Sequence, residues 1–104
     1  MSRSVLYIVK SLVSKEHADE FNEWYHKTHI PQFMKASGCV NARRYCAIET
    51  EDKFMYMAIF EFTDQETLLK YQESEVKNEL VAEFLKKYGN RVEIKRSIWE
   101  QIYP

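Results

Sequence analysis

Glycine and proline are scarce in this 104-residue chain, which contains two of each. Average usage of the two residues together is about 12%, so four among 104 residues is a clear deficit. Gly38 and Gly89 alone cannot form either Gly-rich phosphate-binding motif, GxGxxG or GxxxxGK[ST]. Long flexible linkers and low-complexity segments are excluded as well. The length and the lack of any repeat or composition break predict one domain over residues 1–104, and the deficit predicts that helix and strand side chains build any site.

Net charge, apolar run length and cysteine content are also low. The net charge is −1, so the basic excess typical of nucleic-acid-binding domains is missing. No apolar run reaches the ~18 residues of a membrane span, and residues 5–9 are too few for a signal-peptide core. Cys39 and Cys46 lie seven residues apart in one predicted strand, which puts them on opposite faces and prevents a bridge. We expect a cytoplasmic protein with reduced thiols and no nucleic-acid or membrane partner.

Hydrophobic periodicity gives the order of secondary structure. Runs rich in β-branched and aromatic residues predict four strands, at residues 4–12, 39–49, 53–62 and 91–102. Residues 50–52 are short and polar, as a hairpin turn between the middle strands should be. Helical patterns occupy the two remaining segments. The resulting order, β-α-β-β-α-β, is the ferredoxin-like α+β arrangement with an antiparallel sheet and both helices on one face.

Each helical segment carries its own start and stop signals. The first has an inward stripe at spacings of three and four, and it should kink just after His29 and Ile30 because Pro31 lacks a backbone N–H. Gly38 follows as the left-handed exit residue. The second segment opens with a capping box at residues 63–66 and should break near Ser74. The members of the first stripe are Ala18, Phe21, Tyr25, His29 and Phe33.

The third predicted strand is apolar on both faces. Phe60 and Phe62 lie on one face, and Met57 and Ile59 lie on the other. An antiparallel strand covered on one side only should alternate with polar residues. The helices can cover one face, and a second copy of the chain is the simplest cover for the other. The pattern therefore predicts a C2 homodimer packed through its sheet faces, with Glu61 as an interface partner for an arginine.

Two stretches of the chain resemble a known superfamily. Residues 21–31 (FNEWYHKTHIP) followed by residues 38–45 (GCVNARRY) are similar to the dimeric α+β barrel superfamily, particularly its EthD-like proteins. Those proteins carry a helix of the form W-Y-x-x-x-H-x-P, then a glycine and a strand ending in A-x-R-Y. The tail, residues 85–100, is similar to the end of small uncharacterised relatives. The resemblance implies a ferredoxin-like dimer with a pocket between the helices and the sheet of each protomer.

The resemblance implies that His29 is the residue to carry over as a catalytic candidate. A histidine near its ordinary pKa of ~6.5 can take and return a proton at neutral pH. His29 then acts as a general acid or base, or as a hydrogen-bond donor to a substrate carbonyl. The alternative is a structural histidine that is hydrogen-bonded to the backbone beside the helix break. A metal site at His26 and His29 lacks an evident third ligand, so we predict no metal.

The remaining candidates are aromatic residues and one arginine. Trp24, Tyr25, Tyr56 and Tyr71 could line a flat pocket for a small aromatic ligand, although aromatics at helical and strand spacing are more often core residues. Arg44 shares an apolar strand face with Val40 and Cys46 in this interpretation. It would pair with Glu61 or Glu100, or hold an acidic ligand.

Two classes of function remain at this point. The first is an enzyme that needs no cofactor, either an isomerase or cyclase or a monooxygenase, acting on an aromatic or enolisable substrate. The superfamily also contains haem-degrading monooxygenases, which would need an axial histidine facing a larger cavity. The second class is a non-catalytic ligand-binding or interaction protein in which His29 is structural.

Overall fold

The computed structural model describes residues 3–104 and contains a four-stranded antiparallel sheet. Its order is β2-β3-β1-β4, so the first and third strands of the chain lie in the centre. This is the predicted ferredoxin-like α+β topology, which the structure confirms. The strands are β1 (Val5–Val13), β2 (Cys39–Cys46), β3 (Tyr56–Phe62) and β4 (Val92–Glu100).

Two helical segments cover one face of the sheet. The first contains α1 (Ala18–Trp24), a π-helical turn (Tyr25–His29) and α2 (Ile30–Phe33). The second contains α3 (Gln65–Gln72) and α4 (Glu75–Lys87). The described residues include no helix that is long and apolar enough to cross a membrane.

The irregularity near Pro31 begins earlier than the sequence indicates. The backbone widens into the π turn, where Ile30 N–H donates to the Tyr25 carbonyl five residues back. The α-helix then resumes at Ile30 with Pro31 in its first turn, where the missing proline N–H costs little. A π turn inserts one extra residue into the helical register, which rotates the residues that follow it. His29 closes this turn.

The start of α3 and the hairpin loop also differ from their predictions. The N-cap is Asp64 and not Thr63, because Asp64 Oδ1 accepts a hydrogen bond from Thr67 N–H at 2.8 Å and Thr67 Oγ1 lies 3.4 Å from Asp64 N. The break at Ser74 is confirmed, since its hydroxyl caps α4 by accepting from Lys77 N–H. The loop between β2 and β3 covers nine residues, 47–55, in place of a three-residue turn.

The expected opposite orientation of the two cysteines is wrong. A register shift between Cys39 and Asn41 adds one residue to β2, as a β-bulge does. Cys39 therefore pairs with Phe62 and Cys46 pairs with Tyr56, which places both cysteines on the helix-covered face. Cys39 is buried and Cys46 is exposed, and both are free. Seven residues of strand, about 23 Å, separate them, so a bridge is still excluded.

Gly38 connects the first helical segment to β2 and is required there for two reasons. Its φ of +88° lies in the left-handed region that favours glycine. A Cβ at this position would lie 2.5 Å from the Thr67 Cβ of α3. The glycine thus permits a close approach of two elements on the covered face, as well as the turn itself.

The hydrophobic core lies between the helices and the covered face of the sheet. Strand β1 alternates strictly, with its odd-numbered residues buried under the helices. The largest fully buried side chains come from both layers and are Tyr25, Phe21, Phe60, Phe62, Leu68 and Val5. The opposite face carries Leu6 and Ile8 of β1 beside Ile59 and Glu61 of β3, and no helix covers it within residues 3–104.

Candidate functional site

His29 lies at the end of the π turn among aromatic rings. Its imidazole stacks on the Trp24 indole, with ring centroids 5.0 Å apart and planes 24° apart. The edge of Tyr25 packs against it, with centroids 4.8 Å apart, and Phe33 lies 6.2 Å away. The inward orientation predicted for His29 is therefore the one observed.

The imidazole lines a cleft between the helices and the sheet. The free volume inside the cleft is small, about 40 Å³. Small-molecule sites span roughly 300–1,000 Å³, so the cleft as it stands has room for a few water molecules, and its lining must move apart to admit a larger ligand. The polar side chains of the lining are His29, Tyr7, Tyr25, Tyr71, Lys77 and Arg96, and the remainder is apolar.

Burial and two arginines control the protonation of His29. Burial is the larger cause, and together with the charges of Arg44 and Arg96 it lowers the pKa of His29 to about 4. The expectation of a pKa near 6.5 is therefore wrong. At neutral pH the imidazole is uncharged and can accept a proton or a hydrogen bond.

One nitrogen of His29 has no partner in the part of the chain that the structure describes. Nδ1 is buried and makes no hydrogen bond there. A backbone partner was the basis of the structural alternative for this residue, and the described backbone supplies none to Nδ1. Buried polar groups are nearly always hydrogen-bonded, and those that are not call for an explanation.

Three tyrosines gather in the cleft. Burial raises the pKa values of Tyr7, Tyr25 and Tyr71 above the ordinary value of 10.0. Each pair of these phenols is close enough for one ionised ring to disfavour ionisation of another. All three hydroxyls therefore stay protonated at neutral pH and remain able to donate hydrogen bonds.

Tyr7, Lys77 and Arg96 are members of the cleft that the sequence interpretation did not select. Tyr7 lies on the covered face of β1, and Arg96 pairs with Val9, which shares that face. A signal for Arg96 was present in the sequence: it alternates with Ile94 and Ile98, so it stands on an otherwise apolar strand face. Lys77 carried a similar signal, because it stands three, four and seven residues before Leu80, Val81 and Phe84, on the apolar face of α4.

Three of the predicted pocket residues do not line the His29 cleft. Trp24 stacks on the His29 imidazole without lining the cleft, and it is 8% exposed. Tyr56 and Arg44 line a separate hollow, together with Asn22, His26, Tyr45 and Cys46. Only Tyr25 and Tyr71 join His29 as predicted.

Arg44 makes contacts different from the predicted ion pairs. Its Nη1 donates to Asn22 Oδ1 at 2.8 Å and lies 3.1 Å from His26 Nε2. The guanidinium also stands over the Tyr25 ring, 4.1 Å from the centroid. Glu61 is on the opposite face of the sheet. The bulge in β2 also removes Val40 from the face of Arg44, which Arg44 still shares with Cys46 as predicted.

Metal ligands do not assemble around these residues. No cluster of three or more His, Cys, Asp or Glu side chains suited to a metal ion occurs within residues 3–104. His26 contacts Arg44, whose charge is unfavourable for a cation beside it.

Solved structures with the same topology confirm the predicted resemblance at the level of the fold. An EthD family protein from Bacillus halodurans C-125 is 19% identical, with 96% of this chain and 99% of that chain covered and a TM-score of 0.74. HapK from Hahella chejuensis is 18% identical over 94% of this chain and 92% of its own, with a TM-score of 0.73. SnoaB, a cofactor-independent oxygenase from Streptomyces nogalater, is 15% identical over 97% and 95%, with a TM-score of 0.68.

These similarities identify the architecture and leave the chemistry open. The shared architecture is the ferredoxin-like α+β fold, and an EthD family protein is among the matching structures. At identities below 20% the likeness concerns the fold alone. No curated protein matches the chain. Residues 4–102 match the family described as a domain of unknown function, DUF4286, and the chain belongs to that family.

Proposed function

We propose that this protein binds a small, largely apolar, enolisable molecule in the His29 cleft and transfers a proton on it without a cofactor. The observation that carries the proposal is the combination of a neutral, half-buried imidazole with three protonated phenols in one apolar cleft. An uncharged base and hydrogen-bond donors in a dry site are the groups that enolisation requires. SnoaB, which is a cofactor-independent oxygenase on this fold, supports chemistry performed by side chains.

The proton-transfer step balances without an oxidant or reductant. The proton leaves a carbon next to a ketone carbonyl and binds to the His29 imidazole. The C–H electron pair becomes the enolate double bond, and the carbonyl π electrons move to oxygen. Return of the proton to the same carbon regenerates the ketone. Where the enolate is conjugated with a neighbouring C=C bond, return of the proton to the far carbon of that dienolate shifts the double bond and completes an isomerisation.

The electrostatics of the cleft favour the enolate. A protonated His29 close to Arg44 and Arg96 is unfavourable in the empty cleft, which is part of the reason that its pKa is low. The negative enolate oxygen compensates for that positive charge. Hydrogen bonds from Tyr7, Tyr25 or Tyr71 to the same oxygen stabilise the charge where it develops.

Binding without chemistry is a second candidate function, and one observation favours it. A pKa of about 4 makes His29 a weak proton acceptor at neutral pH. Its stacking on Trp24 would then serve to shape an apolar binding cleft. Proton exchange on a bound ketone separates this function from the first one.

The test uses 2-tetralone, an aromatic ketone with an acidic carbon next to its carbonyl, in D₂O at neutral pH. NMR follows replacement of that hydrogen by deuterium. We expect the wild-type protein to accelerate the exchange over buffer and His29→Gln to reduce the rate by at least about 100-fold, toward the background. His26→Gln is the matched control, because His26 lies in the same π turn but outside the cleft.

The outcomes discriminate between the two functions. Wild-type protein that binds 2-tetralone without accelerating exchange contradicts proton transfer and supports the binding function. Exchange that His29→Gln leaves intact contradicts the role of His29. Protein that neither binds the ketone nor exchanges its hydrogen contradicts both functions for this class of molecule.

We also propose that two copies pack through the open faces of their sheets. Leu6 and Ile8 of β1 and Met57 and Ile59 of β3 form a continuous apolar centre on this face. The Trp99 side chain beside them is 59% exposed. Such a patch on a protein surface marks a contact with another molecule. The cleft lies on the opposite side of the sheet, so a dimer leaves it accessible.

A further inference from the structure

We propose that the enolisable molecule bound in the His29 cleft is also an acid: an aromatic ketone that carries a carboxylate, which Arg96 and Lys77 hold. This inference rests on the proposed function and adds the class of ligand. The cleft continues outward into a wider hollow of about 290 Å³ that shares five of its residues. The shared residues are Tyr7, Tyr71, Lys77, Val81 and Arg96.

Two cations therefore stand at the outer end of an apolar cleft. Arg96 reaches this end from β4 and Lys77 from the first turn of α4, so they belong to opposite layers of the fold. No Asp or Glu is among the residues that line the cleft and the hollow. Neither cation takes part in a salt bridge within residues 3–104, although the surface elsewhere has five.

Ten of the fifteen Lys and Arg residues make no salt bridge within residues 3–104, so it is the position of these two beside an apolar cleft that distinguishes them. Two cations beside an apolar cleft attract an anion whose remaining body is apolar. A guanidinium recognises a carboxylate through two parallel hydrogen bonds, and an ammonium adds a point charge. The hydroxyls of Tyr7 and Tyr71, which belong to both compartments, can donate to the same oxygens.

The arrangement orients the ligand. Its acidic group lies outward at the two cations, and its ring extends inward past Phe33 and Phe60 toward His29. The anion also neutralises part of the positive charge that acts on the imidazole. Binding should therefore raise the pKa of His29. The anion bound at the mouth thereby makes the imidazole at the inner end a better proton acceptor.

The experiment compares 2-naphthoate with 2-naphthamide, its neutral analogue of nearly the same shape. Titration calorimetry at low salt measures affinity, and NMR of the His29 ring reports occupancy of the cleft. We expect the carboxylate to bind on the order of tenfold more tightly than the amide and to move the titration of His29 to higher pH. Arg96→Gln and Lys77→Gln should each remove most of that preference.

Two variants serve as controls. Arg96→Lys keeps the charge and should retain part of the preference for the carboxylate. Lys86→Gln removes the same charge as Lys77→Gln from the same helix, but Lys86 is exposed and outside the cleft, so this variant should bind like wild type. A loss of preference in Lys86→Gln equal to that in Lys77→Gln would show only a general charge effect and overturn the inference.

The remaining outcomes separate this inference from the proposed function. Equal binding of acid and amide, with both shifting the His29 signals, overturns the acid preference and leaves the cleft as a binding site. If neither compound shifts the His29 signals, the cleft does not bind planar aromatic molecules and both ideas fail.

Discussion

His29 shows how tertiary surroundings change the chemistry of one side chain. The residue occupies the inward stripe that the sequence predicts, yet its proton affinity depends on Arg44 and Arg96, which are distant in sequence. Both arginines lie on the covered face of the sheet, so their charges act on the imidazole through a poorly hydrated interior. The result is a base that is neutral throughout the physiological pH range.

The low pKa of His29 predicts a pH dependence of stability. The pKa is about 4 in the folded protein against an ordinary value of 6.5, so the unfolded chain binds the proton more tightly between these values. The free energy of unfolding should therefore be highest above pH 6.5 and fall by up to about 3 kcal/mol as the pH drops through 4. Urea unfolding at several pH values measures this change.

The matched comparison is His29→Gln, which cannot titrate in this range. Its free energy of unfolding should fall less steeply than that of wild type between pH 6.5 and pH 4. Parallel curves for the two proteins would contradict a depressed pKa for His29.

At the scale of elements, the sequence places helices and strands well and their ends less well. Thr63 and Asp64 are both good caps, and Glu66 follows Thr63 at the spacing of a capping box. Sequence alone therefore favours the earlier start for α3. The chain leaves β3 at Phe62, and the close approach of Gly38 to Thr67 fixes where α3 can begin.

The corrected cap predicts a difference between two neighbouring substitutions. Asp64→Ala removes the acceptor for Thr67 N–H and should lower the free energy of unfolding by about 1 kcal/mol. Thr63→Ala removes a hydroxyl at an exposed position and should change it by less than about 0.5 kcal/mol. Denaturant unfolding of both variants checks the prediction. A larger loss of unfolding free energy for Thr63→Ala than for Asp64→Ala would indicate that Thr63 is the N-cap.

At the scale of the whole molecule, the sheet has two apolar faces and the described helices cover only one. The covered face forms the core and the cleft, whereas the open face carries Ile8 and Ile59 at paired positions. The solved structures reproduce this architecture, with TM-scores of 0.74 and 0.73 for the EthD family protein and HapK. The association of two chains through the open face remains a proposal.

The dimer proposal predicts a change of mass on a single substitution. Wild-type protein at micromolar concentration should sediment as a dimer, and Ile8→Glu should sediment as a monomer, because it places two like charges in an apolar contact. Leu85→Glu is the control, since Leu85 is 58% exposed on α4, away from the sheet. Far-UV circular dichroism establishes that each variant is folded. A wild-type monomer would contradict the proposal.

The sequence by itself determined the strand and helix order, the inward position of His29 and the left-handed Gly38. These features follow from local rules: side-chain periodicity of two or 3.6 residues, and the steric freedom of glycine. The β-bulge at Cys39 and Asn41 has no comparable local signal. The sequence therefore predicted the wrong sheet face for Cys39 and Val40.

Only the tertiary structure decided which side chains share the cleft. The alternation of side chains along a strand indicates that Arg44 and Arg96 lie on the face toward the helices. It does not indicate that Arg96 lines the cleft while Arg44 bonds to Asn22. The register between strands and the packing of the helices decide which residues of a strand line a site. The pKa of His29 depends on those same distances and on burial. The scarcity of glycine and proline therefore predicted a site built from helices and strands, and packing selected its residues.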